Sequence, residues 1–477
     1  MLENLSTYLE YKDSGHPSFG QIPKHWKLLR NGQIFSQRNQ TGFPDLPILE
    51  VSLKTGVRVR NFENSKRKQV MSDREKYKRA LNGDIAYNMM RMWQGAVGVA
   101  PVDGLVSPAY VVASPLSEVD SRYYSYLFRT QTYMNEVKKY SHGIVADRNR
   151  LYWDEFKQIP SLFPPSNEQK KISDFLDYYS RKVSRLVRIK KRQAELLREL
   201  KEAIITSAVT RGVNSEVRLK PSGVAWLGDI PEHWEPMRVK NCIDSVANGT
   251  WGEDPNEGNA VNHLICVRVA DFDRDHLSVS KEKLTVRSVE KSKNLSRILK
   301  KGDLLIEKSG GGDKQPVGRV VLFNEDYVAV CSNFITKVSV DSELIKSEYL
   351  LLYLHALNLL RLTLPHITQT TGIQNLNEKS YFNTIIALPP LEEQQAIVKS
   401  INQKVDVLNK SIRSINKEID LITEYHTSLI SDVITGKIDV RDFAVDEIYE
   451  DELDPTDLDE ELVDETEGVE DIEECEG

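Results

Sequence analysis

From Leu391 to Thr435 the chain contains no proline or glycine, and its apolar residues keep a seven-residue beat. Val398, Val405, Ile412 and Ile419 mark one line, and Ile401, Leu408, Ile415, Ile422 and Leu429 mark a second, three places on. That is a helix with a narrow apolar seam of period 3.5, the pattern of a helix that pairs with another. A second uninterrupted stretch, Ser166 to Arg211, carries a rougher seam of Ile172, Leu176, Tyr179, Val183, Leu186, Leu197, Leu200 and Ile204, broken at Lys190 and Gln193. A double proline precedes each stretch, which fixes an extended approach. Ser166 with Gln169 fits a capping box, whereas Leu391 breaks it in the second stretch. About 42 residues of helix make a rod of about 63 Å.

The pattern elsewhere is different. Residues 1–163 and 214–388 alternate short β-type runs, such as Ile48–Val51 and Leu264–Val267, with turn signals. One helix is predicted in each, over Arg122–Val137 and Ser347–Leu362. Gly83-Asp84 and Gly302-Asp303 each read as a tight turn before an apolar strand. Each region reads as one α+β domain with a strongly curved sheet.

The two halves are copies. Lys12-Asp13-Ser14-Gly15 and Gly20-Gln21-Ile22-Pro23-Lys24-His25-Trp26 recur as Lys220-Pro221-Ser222-Gly223 and Gly228-Asp229-Ile230-Pro231-Glu232-His233-Trp234, offset by 208. Pro164-Pro165-Ser166-Asn167-Glu168-Gln169 recurs as Pro389-Pro390-Leu391-Glu392-Glu393-Gln394, offset by 225, and that offset holds to Thr210 and Thr435. Each half is a variable module followed by a length-matched helix. Two like halves pack most simply about a pseudo-two-fold axis, with the helices antiparallel. Drift after duplication explains the copies but not why only the helices keep their length.

Charge sharpens this division. Net charge is −8 for 477 residues, which taken alone argues against a nucleic-acid partner. However, 19 of the 71 acids and only one of the 63 bases fall in residues 441–477. The other 440 residues hold 52 acids and 62 bases, a net charge of +10. The acidic tail is expected to be disordered and solvated.

Chemistry is sparse. The four cysteines form no CxxC pair, so neither a disulfide framework nor a zinc site is expected. No P-loop, GxGxxG, G-x-S-x-G or HExxH motif occurs. Gly310-Gly311-Gly312 reads as a loop that lets backbone approach another surface. His25 and His233, beside tryptophan at one repeat position, point to packing in a docking loop. No leader or membrane span is visible, so a soluble cytoplasmic protein is expected.

Y-K-D-S-G with G-x-I-P-x-H-W, repeated, and P-P-x-x-E-Q opening two long helices, resembles the DNA-specificity subunit of type I restriction-modification systems over about residues 8–440. The resemblance implies target-recognition domains at 1–163 and 214–388, helices at 164–213 and 389–440 forming an antiparallel coiled coil, and an acidic tail at 441–477 outside the pattern. It implies a non-catalytic chain in which each domain reads half of a bipartite duplex site. It further implies two methylation subunits, which use S-adenosylmethionine on adenine, and two restriction subunits, which use ATP and Mg. A scaffold that binds no DNA and a stand-alone nuclease are the competing classes; the latter lacks a recognisable carboxylate–lysine motif.

Base readers are sought among basic and amide side chains in loops, since Arg suits guanine and Asn or Gln suits adenine. In the first half these are Arg58, Arg60, Lys66, Arg67, Lys68, Arg91, Gln94, Arg148 and Arg150. In the second they are Lys308, Lys314, Gln315, Gln374 and Asn375, with the aromatic Trp251 of the polar loop Asn248 to Trp251 as a further DNA-binding candidate. Arg148, Arg150, Gln374 and Asn375 are favoured for bases, and Lys66, Arg67 and Lys68 for phosphates. Each has an ordinary reading as a solvated surface residue or turn former. The loops ending at Leu151 and Leu376 match across the halves.

Overall fold

The computed structural model describes residues 6–60, 74–143, 149–214, 216–255, 263–312, 315–370 and 372–443. Contacts divide the chain into two units, one holding residues up to Val187 and from Asp420, the other Arg188–Ile419.

In the first unit, strands β1 (Phe35–Arg38), β2 (Ile85–Asn88), β3 (Val97–Val99) and β4 (Tyr110–Pro115) form an antiparallel sheet of order β1-β4-β2-β3. The single helix expected over Arg122–Val137 is two, α1 (Ser121–Phe128) and α2 (Gln131–Tyr140). Thr130 makes the break: its hydroxyl donates to Leu127 O at 2.7 Å and accepts from Tyr133 N at 3.3 Å, capping the new helix. The first long helix, α3, spans Ser166–Arg211. Its start packs Ile172, Phe175 and Leu176 into a core with Trp26, Tyr87, Tyr123, Phe128 and Phe156.

In the second unit, β5 (Ile243–Asn248), β6 (Phe272–Asp273), β7 (Ser278–Val279), β8 (Asp303–Glu307), β9 (Val320–Phe323) and β10 (Ile335–Val340) form a sheet of order β5-β10-β8-β9-β7-β6. Its first four strands repeat the order of the first sheet, and β6 and β7 are additions. Helix α4 (Ser347–Leu359) packs on this sheet, and β11 (Ile367–Thr370) pairs with β12 (Ile373–Leu376). The second long helix, α5, spans Leu391–Ile434.

The Gly-Asp turns are anchors as well as turns. Asp84 and Asp303 are buried, and each accepts from the backbone N–H three residues earlier, at 2.8 and 2.6 Å. Each also meets a cation, Arg38 at 2.6 Å and Lys337 at 3.3 Å, which offsets the burial of its charge.

In the second unit the long helices run antiparallel. Lys190 meets Glu418 at 2.6 Å, while Lys201, further along α3, meets Asn409, earlier on α5, at 3.0 Å. All nine positions of the expected α5 seam are buried or half-buried. The α3 seam differs from expectation, because Leu186 and Leu200 are 41% and 48% exposed. The inward line is instead Val183, Val187, Lys190, Ala194, Leu197, Lys201, Ile204 and Ala208. Lysines hold two of these places because each head reaches a polar partner on α5, a case apolar counting misses.

Candidate nucleic-acid interface

The repeated motifs meet each other. His25 lies 2.7 Å from Glu168, and Trp26 Nε1 donates to Glu168 at 2.9 Å. In the other half His233 lies 2.7 Å from Glu393. Thus the docking loop of each domain clamps onto the first turn of the helix that follows it. The neighbouring glutamines do not form the capping box expected at Ser166. Gln169 donates to Pro164 O at 2.8 Å and accepts from the N–H of Asp120, the residue capping α1, at 3.0 Å. Gln394 does the same with Pro389 O at 2.9 Å and the N–H of Lys346, which caps α4, at 2.8 Å.

Each tryptophan also abuts the end of the other long helix. Gly436 (φ +78°), after α5, sits so tightly that a Cβ would come within 2.5 Å of Pro23 and 3.1 Å of Trp26. Gly212 (φ +78°), after α3, leaves 3.3 Å to Trp234. Tyr123 donates to Ile434 O at 3.0 Å, and Tyr349 to Val209 O at 3.2 Å, capping carbonyls that the helix ends leave open. Each domain is therefore gripped by the start of one long helix and the end of the other.

Away from the clamp, two loops come together in each half. Leu151 N donates to Met89 O at 2.9 Å, and Leu376 N to Lys308 O at 2.8 Å. Leu151 and Leu376 are counterparts at the 225 offset, and Met89 and Lys308 both follow the matching core strands β2 and β8. Arg91 is half-buried and Gln94 exposed in the β2–β3 turn, and the exposed Arg150 closes a β-bridge with His142 beside it. In the second half Ser309–Gly310 pairs with Gln374–Asn375, Lys308 reaches Asn248 at 2.5 Å, and Gln315 is exposed.

Other candidates fall elsewhere. Arg58 lies on a separate hairpin, paired with Glu50 at 2.6 Å, and half-buried Arg60 follows it. Trp251 packs on Leu264, Cys266, Val289 and Val330, with the Arg287 guanidinium 4.1 Å over its ring, so it serves the core. Gln374 is 5% exposed and accepts from Val317 N at 3.3 Å, which places its amide in the interior of the domain. Asn375 accepts from Ser309 Oγ at 2.7 Å and is half-buried. Lys66, Arg67, Lys68, Arg148 and Lys314 lie outside the described residues.

No motif or spacing points to Glu307, buried beneath the Lys308–Gln315 loop. Burial raises its pKa, against the pull of Arg319 and Arg274. The clamp carboxylates were also missed, although a histidine and a glutamate repeated in both halves are a legible pair. Among the described residues no group of His, Cys, Asp or Glu could hold a metal, and no helix is long and apolar enough to cross a membrane.

Two α+β domains carrying matched loops, each gripped by a pair of long helices, define a duplicated module built on long helices. The family model described as type I restriction modification DNA specificity domain matches residues 23–196 and 231–421, so the chain belongs to that family. The StySPI specificity subunit of Salmonella potsdam is 23% identical over 328 residues, 68% of this chain and 67% of that protein. The putative MjaX specificity subunit of Methanocaldococcus jannaschii is 22% identical over 448 residues, 88% and 96% of the two chains. A chain from a structural study of complex assembly and conformational transition of the type I R-M system superposes with a TM-score of 0.64 at 16% identity, over 87% of this chain and 98% of that one.

Proposed function

We propose that each domain reads one half of a bipartite duplex DNA site, and that the long helices set the spacing and dock methylation subunits. The observation that carries the reading is the shared address of the two loop pairs, Met89 with Leu151 and Lys308 with Leu376. The frame is repeated while the side chains on it differ. Arg91, Gln94 and Arg150 suit one set of base edges and phosphates; Lys308, Gln315 and Asn375 suit another. Two-fold related readers meet a duplex on opposite strands, as dimeric repressors do. Fusing them into one chain lets the half-sites differ.

Docking falls on α3 and α5 at repeated positions. Leu196 and Leu200 are 48% exposed, and their counterparts Leu421 and Tyr425 are 54% and 52% exposed. An apolar pair shown once per half fits two copies of one partner. Two methylation subunits would bring S-adenosylmethionine, and two restriction subunits ATP and Mg, in the cytoplasm; this chain supplies the address.

The test is reconstitution with methylation subunits. Duplex binding should weaken linearly in log–log salt plots, and methylation mapping should return two blocks separated by an unread spacer of fixed length. A continuous motif overturns the bipartite reading. Four residues inserted after Ser411 should change the spacer or abolish methylation. Full activity at the old spacer overturns the ruler role.

A further inference from the structure

The described chain ends on the flank of α3, and its last residues follow that helix. Lys171 donates to Arg441 O at 2.6 Å. Two residues later, Phe443 packs against Phe175, Tyr178 and Tyr179, with centroid distances of 4.8, 6.0 and 6.0 Å. From residue 441 to 443 the chain has therefore moved from position 171 to positions 175–179, toward the C-terminal end of α3. On the same flank come Lys182, stacked 4.3 Å over Tyr178, then Arg185 and the 41%-exposed Leu186.

The sequence beyond Phe443 is complementary to this flank. Residues 444–477 hold 18 acids and no base, and five of the acids fall within 446–452. Asp446 is three residues past Phe443, a reach of about 10 Å. Lys182 and Arg185 lie four and seven helical residues past Tyr178, about 6 and 10 Å. Ile448 and Tyr449 add apolar side chains to this acidic run.

The other long helix provides an internal control. At the 225 offset, Lys171, Phe175, Tyr178, Lys182 and Leu186 become Ala396, Ser400, Gln403, Val407 and Ser411. The three rings, Lys171 and Lys182 have no like residue in the copy that has no tail beside it, whereas Tyr179 and Arg185 become Lys404 and Lys410. We infer that the acidic segment beyond Phe443 docks along this flank of α3, as an intramolecular strap over Lys182 and Leu186. The strap screens a basic, partly apolar helix flank from acidic partners.

Amine acetylation read by mass spectrometry tests this on the full chain, with exposed Lys410 of α5 as reference. At low salt, Lys182 should react about fivefold more slowly in the full chain than in a chain ending at Phe443. The difference should vanish near about 1 M salt. It should also vanish in the full chain carrying Asp446→Asn, Glu447→Gln, Glu450→Gln, Asp451→Asn and Glu452→Gln. Equal Lys182 reactivity in the full and shortened chains overturns the strap. Protection that survives neutralisation of the five acids overturns it as well.

Discussion

The two clamps use the same histidine, tryptophan and glutamate, yet only the first is fully bonded. Glu168 is 3% exposed and accepts from Tyr8 OH at 2.6 Å as well as from Trp26, beside His25. Glu393 has His233, while the buried Trp234 Nε1 has no hydrogen-bond partner among the described residues. The counterpart of Tyr8 is the exposed Glu216. Chain continuity explains the difference. In the second half the backbone runs unbroken from α3 into the domain, through Asn214. Both repeat offsets lead to Asn214, from Ser6 by 208 and from Asp439 by 225. The first half has two chain segments where the second has one. It joins them by bonds: Asp439 N to Ser6 O at 2.7 Å, Tyr11 OH to Lys437 O at 3.3 Å, and Arg441 4.9 Å over the Tyr8 ring. These three contacts stand where the second half has a peptide link.

That comparison can be broken in graded steps, read by unfolding with domain-resolved hydrogen exchange. Trp26→Ala and Trp234→Ala should each cost about 3–5 kcal/mol, confined to the unit that holds the residue; equal losses in both units would deny separate clamps. Glu168→Gln should cost about 2–3 kcal/mol and Glu393→Gln about 1 kcal/mol or less, since charged acceptors with several buried donors matter more. A reversed order would end the argument from continuity. Tyr8→Phe should cost about 1 kcal/mol and act on the first unit alone.

A further test is a pH dependence. Burial, with the Lys201 ammonium adding to it, lowers the His355 pKa to about 4 from an ordinary 6.5. The unfolded chain therefore takes up this proton first as pH falls. The stability His355 contributes is complete above pH 6.5 and is lost as pH falls toward 4. His355→Gln should flatten the acid limb of the second unit's stability; an unchanged limb would place the titration elsewhere.

Much of this frame was legible. Period, absence of breakers and a constant offset marked α3 and α5, and the paired motifs located the clamps. The α3 seam was misread by one position because Lys190 and Lys201 face inward, and hydropathy cannot report a buried cation with a partner. Thr130 split a helix because its hydroxyl competes locally for backbone bonds, an effect weaker than the apolar pattern around it. The candidate loops were legible in the sequence, and the burial of each side chain on them was not. Arg150 and Gln374 look alike as candidates, and only packing separates an exposed guanidinium from an amide that supports Val317.

The central claim is that two matched loop pairs read two different half-sites. Methylation mapping of the assembled complex with Arg91→Ala and Arg150→Ala, beside one with Lys308→Ala and Asn375→Ala, tests it directly. Each pair should alter or relax one half of the motif and leave the other half and the spacer unchanged. A motif untouched by both pairs, or changed in both halves by either one, would contradict it.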